Sequence, residues 1–405
     1  MSKIWLKIIG LSEGGIDELS PKIRAQLASA EYLLGSKRLL EKLPEIKGQK
    51  LIEWQKPFAK MQQQILALRG KPTIIVATGD ANWFGISSSL SSFLSPNEYI
   101  SYPALSSFQL ASAKMHWALQ NIDCISLHGR KVENLHKYLA PKNRILALTS
   151  NTKTLIEVAN LLEERGYQNS NLSVLENLGA ESERIISFEA NQASQQKIAD
   201  FYLLAIDCVA DKNAPLLPLV AGLPDESFIH DGQLTKREVR ASTLAKLAPY
   251  PNALLWDIGA GSGSIGIEFM RLARGAKSIC FEKDKTRLSN IEKNALALGV
   301  PSLEIIAGDA LDNLKNKPAP DAIFIGGDVA NDELFQSCYK ALKIGGRLVA
   351  NAVTLEGEQA LFERHEKLGG ELVRIEISHV KSAGRYRLFE PKRPVTQYLL
   401  IKGEA

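Results

Sequence analysis

Apolar positions along this chain come in short uninterrupted runs, separated by longer stretches in which apolar residues recur at helical spacing. In the first half, Ile4–Leu11, Thr73–Thr78, Asp123–Leu127, Arg144–Thr149, Leu172–Glu176 and Phe201–Ile206 predict strands. Helix starts lie between them. Ser20-Pro21 opens IRAQLASAEYL and Ser106-Ser107 opens FQLASAKMHWAL, serine being suited to cap and proline to the first turn. The stretch DKNAPLLPLVAGLP gathers Pro215, Pro218, Gly222 and Pro224 and predicts a linker over 211–221. A second series follows: helix Thr235–Leu247, strand Ala253–Ile258, helix Ser264–Leu272, strand Ser278–Phe281, helix Lys285–Leu298, strands Leu303–Ala307 and Ala322–Ile325, helix Asp332–Leu342, strand Arg347–Ala350 and helix Glu356–His365. Two β-rich runs, ELVRIEISHV and VTQYLLIKG, come last with no helix between them. The pattern predicts an α/β protein in two parts, 1–210 and 222–405.

Composition narrows the class. A chain of 405 residues exceeds what one core normally supports, and 45% hydrophobic with 23% charged residues is ordinary for globular protein. The 49 basic and 45 acidic residues leave +4, too little to expect a nucleic-acid-binding face but compatible with an anionic small substrate. Cys124, Cys208, Cys280 and Cys338 form no C-x-x-C pair, which predicts reduced thiols in a cytoplasmic protein. MSKIWLKIIGLSEGG reads as a first strand and not a signal peptide, and no run approaches the roughly 18 to 20 apolar residues of a membrane span. The histidines show no H-E-x-x-H or similar spacing, so no protein-bound metal is expected.

The chemistry is most legible in WDIGAGSGSIGIEF, Trp256–Phe269, which fits two templates. Gly261, Gly263 and Gly266 spell the G-x-G-x-x-G of dinucleotide folds; Asp257 followed by Gly259, Gly261 and Gly263 spells the loop that binds S-adenosylmethionine (SAM). Glycines behind a strand allow close backbone approach to a ligand in either case. Three neighbours bear on the choice. Asp257 suits the cationic amino acid end of SAM and would repel a pyrophosphate. Glu282 ends the next strand, placed to accept ribose hydroxyls of either cofactor. Asp309 of Gly308-Asp309-Ala310 ends the third, where it either receives the adenine amino group or caps the following helix. Asp309 tips the balance to SAM over NAD, in line with a sheet that ends in β-rich runs instead of further βα units, and Ala260 and Ser262 then join the loop glycines as expected cofactor contacts.

Longer resemblances enlarge this reading. GLPDESFIHDGQLTKREVRASTLAKL (Gly222–Leu247), the glycine loop, FIGGD (Phe324–Asp328) and GGRLVANAVTLEGE (Gly345–Glu358) resemble the decarboxylating methylase domain of cobalamin biosynthesis. GLSEGGIDELS (Gly10–Ser20), VATGDANWFGI (Val76–Ile86), YPALSSFQLASAKM (Tyr102–Met115), SLHGR (Ser126–Arg130), LTSNTKT (Leu148–Thr154) and ENLGAESERI (Glu176–Ile185) resemble, in order, the tetrapyrrole methylases. The two resemblances imply a tetrapyrrole-methylase fold of two α/β subdomains, then a Rossmann-like SAM methyltransferase domain with a terminal antiparallel hairpin. They imply one SAM per domain and a corrin precursor of the precorrin-6 type, methylated at C-5 by the first half. The second half would methylate C-15 and remove carbon dioxide from the C-12 acetate, and the whole would be a homo-oligomer. Cofactor contacts carry over to Gly10, Gly79, Asp80 and Thr235, the last with a simple N-cap as its plainer role, and substrate contacts to Gly326 and Gly327; Ser107, like Ser106 and Gln109, is either a cap residue or a cofactor neighbour. Two positions depart from the pattern: Ala81 replaces the proline of G-D-P, and Glu13 stands where proline is frequent.

Methyl transfer from SAM chiefly needs a carbon nucleophile held in line and water kept out, so a general base is optional. His230, Glu238 and Asn351 are candidate proton handlers. For a flat polycarboxylate, arginine and lysine are apt partners. Candidates are Lys236, Arg237 and Arg240 in LTKREVR, Lys381, Arg385 and Arg387 in HVKSAGRYRL, and His128 and Arg130 in SLHGR, each with a solvated face or loop as its plainer alternative. Two other functions stay open. An RNA or protein methylase would want a basic stripe or an N-P-P-Y-like tetrad, and neither is found; a first half that binds SAM without catalysis is favoured only by the altered GDANWFG.

Overall fold

The structure, a computed structural model, describes residues 4–55 and 57–403. It divides into two units, one of residues up to Arg130 with Pro141–Ala214, the other of Lys131–Ala140 with Pro215 onward.

In the first unit, β1 (Leu6–Leu11), β2 (Tyr32–Gly35), β3 (Lys50–Glu53), β4 (Thr73–Thr78) and β5 (Tyr99–Tyr102) form a parallel sheet in the order β3-β2-β4-β1-β5. The central strands β1 and β4 are buried almost throughout, as expected where helices cover both faces. A second sheet, β6-β7-β10-β8-β9, is built from β6 (Asp123–Ser126), β7 (Arg144–Leu148), β8 (Asn171–Glu176), β9 (Arg184–Glu189) and β10 (Tyr202–Asp207). The predicted helix IRAQLASAEYL stops at Ala28, and its last residues begin β2. A four-residue strand buried on both faces has no alternation to mark it, so periodicity alone assigns YLLG to the helix before it. Ser20 caps that helix, and Ser106 with Gln109 forms a full capping box on the helix Ser107–Met115.

The second unit holds a seven-stranded sheet in the order β13-β12-β11-β14-β15-β19-β16. Its strands are β11 (Leu254–Ile258), β12 (Lys277–Glu282), β13 (Glu304–Ala307), β14 (Ala322–Ile325), β15 (Arg347–Ala352), β16 (Glu371–Ile375) and β19 (Val395–Ile401). Strands β11 to β15 are parallel, and β19 lies antiparallel between β15 and β16. The order reverses between β11 and β14, the switch point where doubly wound sheets open a crevice. One face packs Trp256, Phe281, Phe335 and Tyr398; the other packs Leu244, Leu255, Phe269 and Val349. The run ELVRIEISHV breaks after Ile375, and β17 (Ser378–Ala383) and β18 (Tyr386–Pro391) form a separate two-stranded ribbon.

The proline-marked stretch is not a free linker. Leu217 and Leu223 are buried against Ile267 and Met270, and the Arg271 guanidinium donates to the Leu217 carbonyl at 2.8 Å. The turn Val132–Tyr138 also belongs to the second unit, where Leu135 and His136 are buried and an added methyl at Gly299 would lie 2.8 Å from the Lys137 nitrogen.

Candidate functional site

The carboxyl end of β11 carries the glycine loop, with Gly259, Gly261 and Gly263 at φ 68°, 59° and 76°. All three are left-handed, a conformation in which a side chain is strained. A methyl on Gly259 would sit 3.0 Å from the Gly327 nitrogen and 3.1 Å from its Cα. The loop after β11 and the FIGG turn after β14 therefore touch, backbone to backbone, at the switch point. Gly326 is exposed and Gly327 half-buried.

Glu282, at the end of β12, sets the loop's shape. One carboxylate oxygen accepts the Gly261 amide at 2.8 Å, and the other accepts the amides of Lys283 at 2.9 Å and Asp284 at 3.0 Å. The amides of Gly259 and Ala260 donate to the Phe281 carbonyl at 3.0 and 3.1 Å. Ser262 is buried with a hydroxyl that has no partner. Asp309 is exposed and caps Ala310–Asn313 through the Leu311 amide at 2.9 Å, the plainer of its two predicted roles.

Asp257 differs from its predicted contact with the ligand. Its carboxylate is enclosed, with Oδ2 accepting the Gly266 amide at 2.9 Å and Oδ1 without a partner, so it braces the helix behind the loop. Burial pushes this carboxyl up to about 7. Unfolded, the same group titrates near about 3.9. The folded chain thus holds a proton that the unfolded chain releases between about pH 4 and pH 7, so this contribution is complete below that window, falls as pH rises through it and is level above. Asp257→Asn keeps an acceptor for Gly266. It is expected to match the parent near pH 4 and to exceed it by on the order of 2–4 kcal/mol at pH 8, as read by urea unfolding. Parallel pH profiles for the two proteins would contradict this.

Three other candidates are corrected. Arg240 is no substrate contact: it is fully buried, with Nε 2.6 Å from Glu268 and Nη1 3.0 Å from Asp225. Asn351 is no proton handler, because both ends of its amide are engaged, with the Thr243 hydroxyl and with the Gln397 amide, each at 3.0 Å. Thr235 does not open the helix, which starts at Arg237 with Lys236 as its cap, and is half-buried just before it. Lys236 is exposed 3.8 Å from Asp225, and the Arg237 guanidinium donates to the Gly222 carbonyl. Glu238 is exposed 3.6 Å from His379, and the exposed His230 accepts the Gly232 amide at 3.0 Å. Lys381, Arg385 and Arg387 stand exposed on the β17–β18 ribbon.

The first unit has its own backbone cradle. Gly10, in β1, lies so close to the loop after β4 that an added methyl would overlap the Gly79 carbonyl oxygen and stand 2.5 Å from the Ala104 nitrogen. Gly79 is left-handed at φ 60° and faces Leu105 and Ser106, next to the half-buried Ser107. Without the usual proline, the loop is held by Asp80, whose Oδ1 accepts the Asn82 amide at 2.8 Å, and by Trp83, stacked at a tilt 5.0 Å from Phe108. The exposed His128 donates through Nδ1 to the Thr149 carbonyl at 3.1 Å. Arg130 is exposed and lies over the ring of Phe84, a contact unmarked in the sequence.

Two family profiles match, the tetrapyrrole (corrin/porphyrin) methylases over residues 6–193 and the precorrin methyltransferase domain over 226–402. A precorrin-6Y C(5,15)-methyltransferase [decarboxylating] of a Sinorhizobium species is 40% identical over 399 residues, 98% of this chain and 97% of the relative. One of the same description from Mycobacterium tuberculosis is 35% identical over 98% of this chain and 99% of its own length. The crystal structure of the C-terminal domain of precorrin-6Y C5,15-methyltransferase from Rhodobacter capsulatus is 41% identical, with TM-score 0.44, covering 46% of this chain and 100% of that one.

Proposed function

The chain belongs to the decarboxylating precorrin-6Y C(5,15)-methyltransferases, and from that premise we propose that its two units divide the chemistry, each with a SAM of its own. The enzyme is a methyltransferase of cobalamin biosynthesis that acts on a tetrapyrrole. In our reading, residues 6–193 methylate C-5, whereas residues 226–402 methylate C-15 and release carbon dioxide from the C-12 acetate. The observation that carries this division is the presence of two separate glycine-lined strand ends, Gly10 against Gly79 and Gly259 against Gly327.

The residues fit the cofactor. At the second cradle, left-handed glycines keep side chains out of the crevice, Glu282 holds the loop open while lone pairs on its carboxylate remain for ribose hydroxyls, and the buried Ser262 hydroxyl lacks a partner. Gly259, Ala260, Gly261, Ser262, Gly263, Asp309 and Ala310 would line it. At the first, Gly10, Gly79, Asp80 and Ser107 would do so. SAM supplies, when bound, a methyl on a sulfonium that leaves as a neutral thioether. The chain's part is placement: the loops hold the donor end rigid, and Gly326 and Gly327 let a flat ring approach the backbone. Decarboxylation needs no protein electron sink, since the electron pair left by the departing carboxylate passes into the conjugated macrocycle.

The ribbon β17–β18 supports a homo-oligomer, because Val380, Tyr386, Leu388 and Phe389 on it are all exposed. No helix among the described residues is long and apolar enough to cross a membrane. The four free cysteines accord with a cytoplasmic location.

Glu282→Ala in the full chain tests the division. The expected product, traced by mass and by NMR with methyl-labelled SAM, carries the C-5 methyl and keeps its carboxylate. Loss of C-5 methylation with an intact C-15 reaction would refute the assignment of units.

A further inference from the structure

The two sheets of the first unit meet through two arginine–phenylalanine contacts. Arg38, in the short helix after β2, places its guanidinium 4.5 Å from the ring centre of Phe201, the residue before β10. Arg130, in the loop after β6, stands 5.5 Å from the ring of Phe84, in the loop after β4. Because β10 runs antiparallel to β7 and β8, Phe201 and Arg130 share the edge where β6, β7 and β8 end. Arg38 and Phe84 share the edge where β2 and β4 end, which is also the edge of Gly79. Both contacts therefore join carboxyl ends of strands, the side on which α/β sheets receive ligands.

These residues are poorly explained as packing. Phe84 is 40% exposed and Phe201 46% exposed, two large rings left facing water. Phe84 also stands at φ 56°, a left-handed conformation that a bulky residue adopts only at a steric cost, and such strain concentrates at ligand contacts. Trp83 and Phe108 hold it there. Arg130 has no ion pair among the described residues, while Arg38 and Lys42 share the single carboxylate of Glu13. Positive charge and aromatic surface thus coincide at one edge, the pairing that suits a flat, conjugated, many-carboxylate molecule.

We propose that Arg130–Phe84 and Arg38–Phe201 are the substrate grips of the first unit, with the rings lying against the macrocycle and the guanidiniums taking its peripheral carboxylates. The inference rests on reading this unit as the C-5 methylase. Its test uses the full chain, labelled SAM and a precorrin-6-type substrate, with C-5 transfer followed by NMR and SAM binding by calorimetry. Arg130→Gln, Arg38→Gln and Phe84→Leu should each raise KM for the tetrapyrrole about tenfold or more in C-5 transfer, with kcat, SAM affinity and the C-15 reaction little changed. Arg130→Lys should recover part of the loss. Unchanged KM in the three variants, or a matching loss of SAM affinity, overturns the grips alone. A parent enzyme that yields the C-15 product without a C-5 methyl overturns the reading of the unit, and the grips with it.

Discussion

Replacing Gly10 by alanine is expected to lower C-5 methylation at least about 100-fold while the C-15 reaction of the same chain proceeds. The added methyl would overlap the Gly79 carbonyl oxygen and lie 2.5 Å from the Ala104 nitrogen. Both are main-chain atoms, so no rotamer change can relieve the overlap. Either β1 or the loop after β4 must move by about an ångström, a displacement sufficient to cost two orders of magnitude where a methyl must travel in line. Overpacking of this kind also costs about 1–3 kcal/mol of stability. Initial rates for each labelled methyl would check it, and a C-5 rate near that of the parent would show that Gly10 does not form the first cradle.

The largest effect on stability is expected from Arg240→Ala. The guanidinium is fully buried, bonded to Glu268 at 2.6 Å, to Asp225 at 3.0 Å and to the Leu223 carbonyl, with the Phe228 ring centre 4.8 Å away. Glu268 is equally buried and also accepts the amides of Gly222 at 2.6 Å and Leu223 at 3.1 Å. The pair thereby ties the entry segment to the helices Arg237–Leu247 and Ser264–Leu272, which carry the chain into and out of β11. Alanine would leave Glu268 buried without a counter-charge, at a cost of about 3–5 kcal/mol, a large part of the ~5–15 kcal/mol that typically holds a domain together. Denaturant unfolding monitored by hydrogen exchange in the second unit would decide; a loss below about 1 kcal/mol for Arg240→Ala would mean the pair is not what anchors this segment.

These two residues also show what the sequence could and could not display. Gly10 and the loop Gly259–Gly263 were legible because their task is conformational: a left-handed φ or a close backbone approach excludes every other side chain and leaves glycine as a visible mark. The parallel strands around the switch point were legible for a similar reason, as apolar runs between capped helices. Arg240 was not. In LTKREVR it resembles its solvated neighbours, and only its partners 15 and 28 residues away reveal an interior ion pair. Asp257 stood at the right place in the loop, yet whether its carboxylate faces ligand or helix depends on the Gly266 amide and the wall formed by Cys280. The strand β2 was hidden because four buried residues carry no periodicity. Phe84 lay within a segment whose irregularity was plain, but its left-handed backbone and its partner Arg130 come from two different sheets' loops.

The central claim is that one chain carries two independent methyl-donor sites. Calorimetric titration of the full-length protein with SAM measures this without depending on the order of the two methylations. The account predicts two SAM per chain for the parent and one for each of Gly10→Ala and Glu282→Ala, the surviving site differing between the two variants. One SAM per chain in the parent, or the same site lost in both variants, would contradict it.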